Sequence, residues 1–340
     1  MLEMKNRVAH YISAKKSFEF RSEEIPSASS ENYVLIKNRW VGICGSDLHT
    51  MELDYINEIV LGHEWVGEVI GIGKNVFDFK IGDHVTSANK IKCGECESCL
   101  RQMEDCKNVK WLTAHYGMLR EYAHLPAISL IKVPNPVSKD STLFEILAVA
   151  ENVWLKSREK ILKTQGKVLI MGAGLLGLSM ALVLKRENVE FEMLEVIPSR
   201  ILRANRLGFE CHLLPQALMN SELKDSYPFI IEATGDHLGG TGGFKYLDHF
   251  GSQGFEAIIL SKYIKDIPFK TFRFFTKQAQ LSWIQGCTEE SLKLACHSWR
   301  DSINELGNEL ITHEFAFDKV GEAFETAQDR KVSGRVIIRF

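Results

Sequence analysis

The sequence has no excess of basic charge: 41 Lys and Arg stand against 44 Asp and Glu in 340 residues, a formal net charge of −3. A chain balanced in this way has no positive field with which to grip a phosphate backbone, so nucleic acid is not expected as a partner. Export is not expected either, because Glu3, Lys5 and Arg7 interrupt the opening segment where a secretory signal needs an unbroken apolar stretch. A cytoplasmic location is expected. There is no internal repeat, no low-complexity tract and no second long apolar run. The one uncharged run, VLIMGAGLLGLSMALVL from Val168 to Leu184, touches the lower limit of about 17 residues for a membrane span. Glycines at 172, 174 and 177 make a buried strand, turn and helix the better reading, and no membrane is expected. With 45% hydrophobic and 25% charged residues the composition is globular, and the length suits about two domains.

Eight cysteines in a reducing compartment point to metal binding or chemistry rather than disulfides. Cys93, Cys96, Cys99 and Cys106 fall in one short stretch, Cys44 stands alone upstream, and Cys211, Cys287 and Cys296 are scattered singly and read as buried apolar fillers. The first part of the chain is β-rich, with alternation in YVLIKNRWV (33 to 41) and WVGEVIGIG (65 to 73). From Ser141 the pattern is helical. Beyond it KVLIM, LLGLSMALVLKR, EFEMLEV, SRILRANRLG, FIIEATG and EAIILS alternate strand and helix, which predicts a parallel sheet covered on both faces. The C-terminal stretch from His313 reads as one amphipathic helix and a short strand, a tail returning to the first part.

Gly172, Gly174 and Gly177 follow an apolar strand and open an apolar helix, the context in which GxGxxG lets a pyrophosphate approach the backbone. The helix N-terminus would face the phosphates with unpaired N–H groups. Glu195 ends the next strand, 18 residues after Gly177. An acid there accepts hydrogen bonds from ribose hydroxyls and repels a 2′-phosphate, which favours NAD, while Arg200 nearby leaves room for NADP. The spacing Cys93-x2-Cys96-x2-Cys99-x6-Cys106 supplies four thiolates, the donor set of a closed structural zinc site. Its charged flanks Lys92, Glu95, Glu97, Arg101 and Glu104 suggest a solvated lobe and favour zinc over an iron–sulfur cluster. Cys44, His63 and one of two glutamates, Glu64 or Glu145, would give a catalytic zinc three ligands and an open position, with Asp47 receiving the other imidazole N–H.

The motifs VGICGSDLH (41 to 49), LGHEWVGEV (61 to 69), VFDFKIGDHV (76 to 85), the cysteine lobe, FEILAVA (144 to 150), VLIMGAGLLG (168 to 177) and IEATG (231 to 235) resemble those of the medium-chain zinc-dependent alcohol dehydrogenases. The resemblance covers nearly the whole chain and looks closest to the polyol and threonine dehydrogenase branch. It implies an α/β protein with a β-rich GroES-like catalytic domain, residues 1–150 and 287–340, plus a doubly wound parallel-sheet Rossmann domain, residues 151–286. It implies two zinc ions, hydride transfer from a secondary alcohol such as a sugar alcohol or threonine to NAD, and a homodimer or homotetramer. It also implies that Ser46 takes the alcohol proton and passes it through the cofactor ribose to His49 at the surface. The sequence departs from the family where Gly82-Asp83-His84-Val85 replaces the customary arginine version and where EAIIL runs into Ser261 and Lys262 without a glycine. Two other readings are an NAD-sensing regulatory protein with a structural zinc lobe, and a zinc-free reductase of the same superfamily. Charge counting predicts Cys44, His63, Glu64 and water around the catalytic zinc, with Glu145 in reserve.

Overall fold

The computed structural model describes residues 5–25, 31–53, 56–101, 106–235, 242–263, 266–268, 270–332 and 334–340. Glu3, Asp54, Tyr55 and Glu104 lie outside the described residues. The chain divides into two compact units, Met1–Ala148 with Cys287–Phe340, and Val149–Gly286.

The first unit is built on the strand Tyr33–Ile43, whose alternation buries Val34, Ile36 and Asn38 on one face. The sheet runs in the order Ile131–Lys132, His84–Thr86, Glu64–Ile72, Tyr33–Ile43, Arg335–Arg339, Ile311–Ala316, and Tyr122–Pro126 also pairs with the first half of Tyr33–Ile43. Antiparallel register sets Gly42 opposite Glu64 on one side and opposite Ile337 on the other. A hairpin of Lys5–Ile12 and Ser17–Glu24, with the short strand Glu58–Ile59, forms a second sheet. The apolar faces enclose a core around Val34, Ile36, Leu61, Trp65, Met118 and Phe324.

The C-terminal stretch differs from the single helix expected. Ile311–Ala316 is a strand parallel to Arg335–Arg339, and the helix between them spans only Val320–Gln328. The segment ITHEFA has mixed propensity and is half-buried at a sheet edge, so its pairing rather than its composition decides its structure.

The second unit is a six-stranded sheet in the order Cys211–Leu213, Phe191–Glu195, Val168–Met171, Tyr227–Glu232, Gly251–Ile259, Gln280–Trp283, parallel throughout. This is the doubly wound order, reversing direction between Val168–Met171 and Tyr227–Glu232. The uncharged run from Val168 divides into the fully buried strand Val168–Met171 and the helix Leu175–Arg186. Among the described residues no helix is long and apolar enough to cross a membrane.

The turn between that strand and helix is shaped by two glycines. Gly172 sits at φ +102°, and a Cβ at Gly177 would lie 1.8 Å from the Gly172 carbonyl oxygen. Gly177→Ala is therefore expected to destabilise the protein by about 1–3 kcal/mol. By contrast a methyl group at Gly321, in the helix Val320–Gln328, would meet nothing within 4 Å, and Gly321→Ala should stabilise by about 0.5 kcal/mol. Urea midpoints that move together in the two variants would contradict this account.

Candidate metal centres and dinucleotide site

The first constellation is organised by Asp47, whose carboxylate is fully buried. Cys44 precedes the short helix Gly45–Met51, and its backbone N–H donates to Asp47 Oδ2 at 2.9 Å, the reach-back contact of a third-position acid. Asp47 Oδ1 accepts from the Gly62 N–H at 3.1 Å and pairs with His63 Nδ1 at 3.2 Å. One carboxylate thus ties together the two loop ends that present Cys44 and His63. It also fixes the imidazole so that Nε2 faces inward, where Ser46 Oγ lies 3.2 Å away. The ligand atoms of Cys44, His63 and Glu64 all fall within 4.8 Å of one another.

Glu64 begins the strand Glu64–Ile72 and has no solvent exposure. Its Oε2 is paired with Arg335, itself buried, while Arg335 Nη1 donates to the Ile43 carbonyl at 2.7 Å. The guanidinium stem crosses Gly42, where a Cβ would come within 3.1 Å of Arg335 Cδ. Glu64 Oε1 has no hydrogen-bond partner among the described residues. Glu145, at the start of the helix Phe144–Lys163, accepts from the Cys287 thiol at 3.4 Å. Burial and the nearby Glu64 push Glu145 up to about 7. Burial works against a charged imidazole at His63, yet Asp47 and Cys44 outweigh it and hold its pKa well above the ordinary value. An orphaned carboxylate oxygen beside a thiol and an oriented imidazole is the environment a divalent cation relieves, and the N, S and O donors suit zinc.

The lobe holds the second set. A tetrahedron with Zn–S bonds of about 2.3 Å spaces its sulfurs about 3.8 Å apart. The sulfurs of Cys93 and Cys99 are 3.9 Å apart and those of Cys96 and Cys106 4.0 Å, so the four fit the same metal. As free thiols they are mismatched: backbone donors from Cys99 and Lys107 bring Cys96 down to about 6, while burial lifts Cys99 to about 12. Glu95, Glu97 and Arg101 are exposed around it, and Lys92 pairs with Glu289 at 3.2 Å.

In the second unit Gly174 precedes the helix Leu175–Arg186 and lies beside Arg200, whose Nη1 is 3.5 Å from where a Cβ would be. Glu195 is buried at the end of its strand. Its Oε2 accepts from the Ala173 N–H at 3.0 Å, and its Oε1 from the Val196 and Ile197 N–H groups at 2.6 and 3.1 Å. Arg200 stands 3.7 Å from the same carboxylate. The acid and the glycine turn are therefore joined.

Two expectations need correction. His49 is 5% exposed and is not at the surface, because the helix Gly45–Met51 turns that face inward with Asp47 and Thr50. Cys287 is no mere filler, since its thiol engages Glu145, and Cys211 is half-buried at its sheet's edge strand rather than buried. Sequence reading passes over Arg335; the available signal is a lone charge heading the apolar strand RVIIR.

The Asp47 contact generates a test. Asp47→Asn keeps the size but loses the charge that holds the His63 proton on Nδ1, and metal affinity at this site should fall by about 10–100-fold. Metal-buffered titration of the variant checks it, and an unchanged affinity would remove Asp47 from the account.

Residues 30–135 match the alcohol dehydrogenase GroES-like domain. The L-threonine 3-dehydrogenase of Alteromonas mediterranea is 32% identical over 188 residues, 52% of this chain and 54% of that protein. The chain thus aligns with about half the length of such relatives. The L-galactonate-5-dehydrogenase of Escherichia coli is 24% identical over 326 residues, 91% of this chain and 92% of that one. An alcohol dehydrogenase of Escherichia coli CFT073 solved with NADH shares the fold, with a TM-score of 0.82, 23% identity and 99% of each chain covered. Residues 30–135 are thus an alcohol dehydrogenase GroES-like domain, and the chain as a whole is similar along nearly all its length to the galactonate dehydrogenase and shares the fold of the NADH-bound enzyme.

Proposed function

We propose that the chain oxidises a secondary alcohol, a sugar alcohol, threonine or a related small molecule, by transferring hydride to NAD. The observation that carries this reading is the donor set of Cys44, His63 and Glu64 within 4.8 Å, with Glu64 Oε1 lacking any other partner among the described residues. A regulatory protein or a zinc-free reductase has no use for that arrangement. A zinc ion held there supplies Lewis acidity, which makes an alcohol hydroxyl acidic near neutral pH. Cys44, His63 and Glu64 hold it, and Glu145 is the reserve carboxylate.

Ser46 Oγ lies 3.2 Å from the inward nitrogen of His63 and is placed to receive the proton the hydroxyl loses. His49, three residues further on the same helix, shares its face and is the next proton carrier. Because it is buried, the proton passes through the interior before reaching water. Cys93, Cys96, Cys99 and Cys106 hold a second, structural zinc, giving two per chain. None of the eight cysteines is paired in a disulfide, in keeping with a reducing, cytoplasmic setting.

For the dinucleotide, Gly172, Gly174 and Gly177 open the backbone to the pyrophosphate, and Glu195 receives the adenosine ribose. Its fixed carboxylate favours NAD, and Arg200, tied to that carboxylate, is the residue a 2′-phosphate would have to recruit. We also propose a homodimer, with a homotetramer as a pair of dimers. The edge strand Gln280–Trp283 pairs on one side only among the described residues, and Phe272, Phe275 and Trp283 expose apolar rings in the same unit.

A screen of sugar alcohols, threonine and simple secondary alcohols, followed by NADH absorbance, tests the reaction. Zinc analysis should give about two metals per chain, and Cys44→Ser should remove one of them and turnover while leaving NAD affinity in place. No zinc dependence on Cys44, or no turnover with any alcohol, would sink the reading. Separately, Glu195→Ala should lower the NAD/NADP preference ratio by about tenfold or more, through lost charged hydrogen bonds. A wild type that already prefers NADP would contradict the role given to this acid.

A further inference from the structure

Arg335 alters the charge balance around the candidate zinc. Cys44, Glu64 and Glu145 together carry three negative charges when ionised, and a divalent metal with the buried Arg335 guanidinium carries three positive ones. Charge therefore does not by itself keep Glu145 off the metal, yet Glu145 is not in the cluster of Cys44, His63 and Glu64 within 4.8 Å. Glu145 is 5% exposed, and among the described residues its one side-chain hydrogen bond comes from Cys287, 7% exposed, at 3.4 Å.

We propose, building on the zinc reading above, that Cys287 is a positioning residue that holds Glu145 away from the metal and so keeps the fourth ligand position open. A thiol is a weak donor. Its hold on Glu145 is strong enough to bias the carboxylate and weak enough for Glu145 to exchange onto the metal when that position empties. The anchor points are rigid on both sides. Glu145 opens a 20-residue helix, and Cys287 immediately precedes Thr288, whose hydroxyl caps the helix Glu289–Ser298 by accepting from Ser291 N–H. The thiol and carboxylate are thus held in place by two helix starts rather than by mobile chain.

The test uses the zinc-loaded and cobalt-substituted full-length protein. Cys287→Ala should slow chelator extraction of the Cys44-dependent metal by roughly threefold to tenfold, the weight of one hydrogen bond. It should also shift the cobalt absorption spectrum toward an added carboxylate ligand. Cys287→Ser, which keeps a donor, should restore both readouts. In a Glu145→Gln background Cys287→Ala should change neither. Extraction as fast as wild type, or faster as a loosened fold would give, overturns the assignment, as does an effect that persists without Glu145. Metal content indifferent to Cys44→Ser would overturn the zinc reading along with it, whereas a Cys44-dependent metal insensitive to Cys287 overturns only this proposal.

Discussion

Buried negative charge is the constraint on which the first unit is arranged. Asp47, Glu64 and Glu145 all sit out of solvent, and an unpaired buried carboxylate is costly. Each has a different answer. Asp47 is satisfied locally, by two backbone N–H groups and an imidazole. Glu64 is met by a guanidinium from the last strand of the chain, two strands away in the sheet, and Glu145 is relieved by its raised pKa and a thiol. The elements that end at this point are the helix Gly45–Met51, the strands Glu64–Ile72 and Arg335–Arg339, and the helix Phe144–Lys163. Their packing and their electrostatics are the same problem.

The second unit meets a milder version of it. Glu195 accepts hydrogen bonds from three backbone N–H groups, so its carboxylate is held in one orientation by the chain itself. The glycine turn owes its shape to steric exclusion, with Gly177 packed against the Gly172 carbonyl. An oriented acid and a tightened turn are set by local chain, which is why their spacing is visible in sequence.

What the sequence reveals follows from that contrast. Periodic segments such as Val168–Met171, Leu175–Arg186 and Phe191–Glu195 announce themselves, because burial on both faces or one stripe leaves a pattern. Cys44, His63 and Glu64, singled out on motif and resemblance, lie in one cluster. Arg335 and Cys287 do not stand out, because nothing near them in the chain reports a partner 292 or 142 residues away. The strand Ile311–Ala316 is missed for the same reason: its local pattern is ambiguous and its partner is Arg335–Arg339. The inward turn of His49 depends on how a seven-residue helix seats against the core.

The pairing of Ile43 with Arg335 also dates the assembly of the first unit. The two residues are 292 positions apart, with the whole of Val149–Gly286 lying between them. At about 5–20 residues per second of synthesis, Arg335 emerges roughly 15 to 60 s after Ile43. During that interval Tyr33–Ile43 has one sheet edge uncovered and Glu64 has no counter-ion, while the contiguous second unit is free to fold. All of Val149–Gly286 is therefore synthesised before the strand Arg335–Arg339, and the buried Glu64 gains its guanidinium partner only when that last strand joins the sheet.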